Sequence, residues 1–98
     1  MSTNIPGPEF WTRVDAVIDL ANGQCGPSHP NDVGASTMYA AARFNAFILA
    51  KTTGNAQNMA TEKERALDYF TEQFRNMMAA NLEDFTVNFG KYMTPDAQ

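Results

Sequence analysis

One cysteine, Cys25, excludes any disulfide within the chain, so no covalent staple supplements its core. Cation clusters are missing too. The seven Lys and Arg (Arg13, Arg43, Lys51, Lys63, Arg65, Arg75, Lys91) are spread along the chain against eleven Asp and Glu, for a net charge of -4. Binding to nucleic acid rests on clustered positive charge that neutralises phosphates, so no nucleic-acid partner is expected. Long apolar runs are also lacking. The richest stretch, Met38 to Ala50, holds Arg43 and Asn45 and is too short to cross a bilayer. The opening residues, Met1 to Pro8, have neither the positive start nor the apolar centre of a signal peptide. With a lone thiol and no membrane segment, the expected setting is the cytoplasm.

What the chain does have is apolar bulk. In 98 residues, 44% are hydrophobic and seven are Phe, too much large apolar surface for a disordered segment. A chain this short hides only about 60–65% of its unfolded surface, so apolar area remains for a partner. One domain covering residues 1–98 is the expectation.

Periodicity predicts three helices. Residues 1–7 read as a mobile tail. Pro8 suits the first helical position, and Phe10, Val14, Val17, Ile18 and Ala21 then share one face, which predicts a helix over about 8–22 with Asn22-Gly23 as its stop. Gln24 to Asn31 is a Gly/Pro loop. Asp32 is read as the cap of a second helix, about 33–52, apolar on nearly every side and therefore central, with Gly54 beyond it. Thr61 and Glu64 have capping-box spacing and predict a third helix over about 62–89. Its stripe runs through Leu67, Phe70, Phe74, Met77, Asn81 and Phe85, widened by Met78, Leu82 and Phe89. The fold class is thus all-α, a three-helix up-down bundle with a long third helix. About 28 residues span roughly 40 Å, twice the reach of the first helix, so the far end of the stripe is left over. Either the tail around Tyr92 and Met93 folds back over Phe85 and Phe89, or another chain covers them.

Few residues suggest chemistry. Cys25 and His29 lie four apart in the Gly/Pro loop, where a thiol could be activated by imidazole or half of a shared metal site could form. No third group is set beside them by spacing, and the plainer reading is a small apolar residue next to an exposed imidazole. Asp15 and Asp19 are one turn apart, which more often means a solvated face than an acid–base pair. Arg43 stands on the most polar stripe of the second helix, at the edge of solvent, with an anion-binding role as the alternative. Asn45, about 200° away around the helix, is expected to be buried and hydrogen-bonded. No metal site and no cofactor follow from these residues, and the balance of the reading is against an enzyme.

The run Met38-Tyr39-Ala40-Ala41-Ala42-Arg43-Phe44-Asn45-Ala46-Phe47, with Phe10-Trp11, Leu20-Ala21-Asn22 and Asn81-Leu82-Glu83-Asp84, resembles the domain-of-unknown-function family numbered 3144, a family of small proteobacterial proteins. The resemblance covers most of residues 9–90. It implies a bacterial, cytoplasmic, helical protein and transfers neither an activity nor site residues. The function therefore stays unknown at this level. The expected role is an interaction module that forms a homodimer or takes a protein partner, with Phe85 and Phe89 as the contact residues. The alternatives are a small enzyme or metal-dependent protein using Cys25 and His29, or a bundle binding an anion through Arg43.

Overall fold

The structure, a computed structural model, describes residues 6–94. Among them are four helices, α1 (Pro8–Gln24), α2 (Pro30–Thr53), α3 (Ala56–Val87) and α4 (Phe89–Met93), and no strand. Most of the expected mobile tail lies outside the described residues. The chain divides into two compact units, Met1–Thr52 and Thr53–Gln98.

In the first unit, α1 starts as the sequence implies. Gly7 precedes it in extended backbone and Pro8 occupies its first turn, where the absent N–H would have had no partner. The stop comes later than Asn22-Gly23 suggests. Gly23 stays helical, and the glycine with positive φ is Gly26, at 112°. A tight turn follows, closed by Gly26 N–H to Ser28 O at 3.1 Å and Ser28 N–H to Gln24 O at 3.0 Å. The same turn moves the start of α2 back from Val33 to Pro30. The cap there is His29, whose Nδ1 accepts the Asn31 N–H at 3.0 Å while its carbonyl accepts from Asp32 and Val33. Asp32 lies in the first turn, where a carboxylate favours the helix dipole. Val33, in the first turn of α2, is at 5% exposure the only buried hydrophobic residue described. Beyond the turn, α1 and α2 run on without packing along their lengths.

In the second unit, Gly54 takes φ 84° and ends α2, as its position suggests. The Thr61–Glu64 capping box is displaced by an earlier cap. The Asn55 side chain accepts the Asn58 N–H at 2.8 Å, and α3 begins at Ala56. Thr61 is already inside the helix, its hydroxyl donating to the Gln57 carbonyl. An Asn cap that leads directly into helix-forming residues satisfies free N–H groups nearly two turns sooner than Thr61 could. Gly90 lies inside a helix. The break falls at Asn88, with φ -108° and ψ 27°, and α4 continues through Gly90 to pack on α3.

Candidate interaction surface

The most extensive feature of the second unit is the α3–α4 face. Leu67, Phe70, Phe74, Met78, Phe85, Phe89 and Tyr92 follow one another at intervals of three, four or seven, and their exposures run from 38% to 63%. Such spacing aligns side chains on one side of a helix. Met77 and Leu82 flank the row and are exposed as well. A stripe of this kind is usually a core, and here it stands open.

Tyr92 settles which residue the tail covers. Its ring meets Phe85 at 4.6 Å between centroids. Its hydroxyl donates to Asp84 Oδ2 at 2.8 Å, and Asn88 Nδ2 donates to Asp84 Oδ1 at 2.8 Å. One carboxylate thus holds both sides of the α3–α4 break. The hydrogen bond to Asp84 is the main reason the Tyr92 phenol titrates above its usual 10.0, with desolvation and the charge of Asp84 acting in the same direction. Phe85 therefore lies partly beneath the tail, while Phe89, at 63% exposure, stays open. The clasp was readable in principle, because Asp84, Asn88 and Tyr92 repeat at intervals of four on one face.

Cys25 and His29 are near in sequence but engaged separately. The Cys25 thiol donates to the Ala21 carbonyl at 3.6 Å, and His29 Nδ1 is used by the α2 cap. Among the described residues no hydrogen bond joins the two, and no group of three or more His, Cys, Asp and Glu could hold a metal ion. Arg43, Asp15 and Asp19 are all exposed, and the one ion pair among the described residues joins Glu62 and Arg65 at 3.6 Å. Asn45 corrects the expectation of burial. It is only half-buried, and its Nδ2 bonds the Ala41 carbonyl of its own helix at 2.8 Å. No described helix is long and apolar enough to cross a membrane.

Four helices and no strand among the described residues place the chain among small all-helical proteins. A family model described as "Protein of unknown function (DUF3144)" matches residues 10–86, and the chain belongs to that family. Among solved structures, the NMR structure of the protein NB7890A from Shewanella sp. is similar, at 32% identity and a TM-score of 0.72. The match covers 93% of this chain and 95% of that one. No curated protein matches the chain.

Proposed function

We propose that this is a bacterial cytoplasmic interaction module that works as one helical domain and self-associates as a homodimer. In this reading its three long helices, arranged up and down, complete their core with those of a second copy. The observation that carries it is the open α3–α4 face, from Leu67 to Tyr92. Apolar surface of that extent is costly in water, and a soluble monomer rarely leaves so much of it contiguous. A twofold dimer covers it economically, because one surface serves both sides. Phe89 is the contact residue of choice, since Phe85 is shared with Tyr92.

Sedimentation equilibrium tests this directly. The wild type is expected to be dimeric at micromolar concentration, and Phe89→Glu to weaken association at least tenfold while helix content by circular dichroism holds. A wild type that stays monomeric at high micromolar concentration refutes the dimer.

A further inference from the structure

The open α3–α4 face carries an order that goes beyond being apolar. Leu67, Met78 and Phe89 are eleven apart, as are Phe70, Asn81 and Tyr92, and Phe74 and Phe85. Eleven residues make three turns plus about 20°, so such a repeat keeps one nearly straight row along a helix. Beyond the break at Asn88 the same spacing continues in the sequence of α4, whose Tyr92 ring meets that of Phe85. Taken in order, positions 67, 70, 74, 78, 81, 85, 89 and 92 have the spacings three, four, four, three, four, four, three. That series is the same in both directions. Its midpoint lies between Ala79 and Ala80.

Resting on the self-association proposed above, we infer that this face pairs with its own copy in antiparallel orientation, about a twofold axis level with Ala79 and Ala80. The row then forms matched layers: Leu67 against Tyr92 of the other copy, Phe70 against Phe89, Phe74 against Phe85, and Met78 against Asn81. Helix dipoles favour the same orientation, because parallel pairing would align the two of them. Asn81 is the polar member of the row, close to the axis. Its Nδ2 donates to the Met77 carbonyl at 2.8 Å, which leaves a second N–H and the carbonyl oxygen for the facing copy. A single amide in an apolar seam specifies register.

The area suffices. Seven open side chains and the flanking Met77 and Leu82, each hiding roughly half of the 150–250 Å² an aromatic can bury, give on the order of 800 Å² per copy. A standard stable interface buries about 800 Å² per partner.

Single cysteines placed in a Cys25→Ser background test the orientation under mild oxidation. In the antiparallel pair, two copies of position 78 are offset by only about 4.5 Å along the axis, and two copies of position 70 by about 28 Å. Met78→Cys should therefore cross-link to itself. Phe70→Cys alone should not, but should form a mixed disulfide with Phe89→Cys. Self-linking of Phe70→Cys as fast as that of Met78→Cys would overturn the inference while leaving the homodimer standing. A second measurement needs no substitution in the row. In a mixture of labelled and unlabelled wild-type chains, NMR contacts between copies should join Phe74 to Phe85. Contacts joining Phe74 to Phe74 would mean a parallel pair, and a wild type that sediments as a monomer would overturn both proposals.

Discussion

Asp84 is the most committed polar side chain described, accepting from Asn88 and from Tyr92 with its two oxygens. Because it favours the neutral phenol, its effect on stability has a definite sign. The folded-state pKa of Tyr92 is raised, so the clasp contributes fully below pH 10.0 and is lost as pH rises through the higher folded value. Phenolate absorbance during alkaline titration should therefore show one late tyrosine, and Asp84→Asn should bring it back toward 10.0. A Tyr92 titration unchanged by Asp84→Asn would remove the clasp from the account. Cys25 contrasts with this. The only described bond of its side chain is a long thiol contact to Ala21, which a hydroxyl can replace, so Cys25→Ser should keep the wild-type circular dichroism spectrum and melting temperature.

At the scale of elements, the caps decide where helices begin, and they yield opposed expectations for similar substitutions. Asn55→Ala removes the acceptor for the Asn58 N–H and should cost about 1 kcal/mol in urea unfolding. Thr61→Ala removes only a hydroxyl bonded to the preceding turn, so a change below about 0.5 kcal/mol is expected. The reverse ranking would restore the capping box at Thr61. Glycines separate in the same way. Gly23 is helical with open space where a Cβ would go, so Gly23→Ala should stabilise by up to about 1 kcal/mol. Gly54, at φ 84°, sits where a side chain is strained, and Gly54→Ala should destabilise by about 1 kcal/mol or more. His29→Ala belongs with the caps, since it takes the acceptor from Asn31, and should cost about 1 kcal/mol.

For the whole molecule, the central expectation is that stability depends on concentration. Val33 is the only buried hydrophobic residue described, and the proposed homodimer would add burial along the α3–α4 face. If association supplies that burial, the melting temperature should rise with protein concentration by several degrees over a hundredfold range. A melting temperature independent of concentration would place the stabilising contacts within one chain.

Helical class, the start at Pro8, the stop at Gly54 and the α3 stripe were all legible in the residues, because each follows from local causes. Proline fixes φ and lacks an N–H, glycine alone takes positive φ without strain, and a spacing of three and four aligns side chains. The caps at His29 and Asn55 were harder to see. Each competes with a neighbour, Asp32 or Thr61, that has the commoner capping signature, and only the path of the preceding turn selects the winner. The stripe itself carried a similar ambiguity, since periodicity shows which side chains face together but not what they face. That Tyr92 meets Phe85 and Asp84 depends on the bend at Asn88, which the four-residue spacing alone does not reveal. Residue order dictates the local geometry of each helix. Which apolar surface is covered is set by packing, a property of the assembled molecule that no stretch of the chain specifies alone.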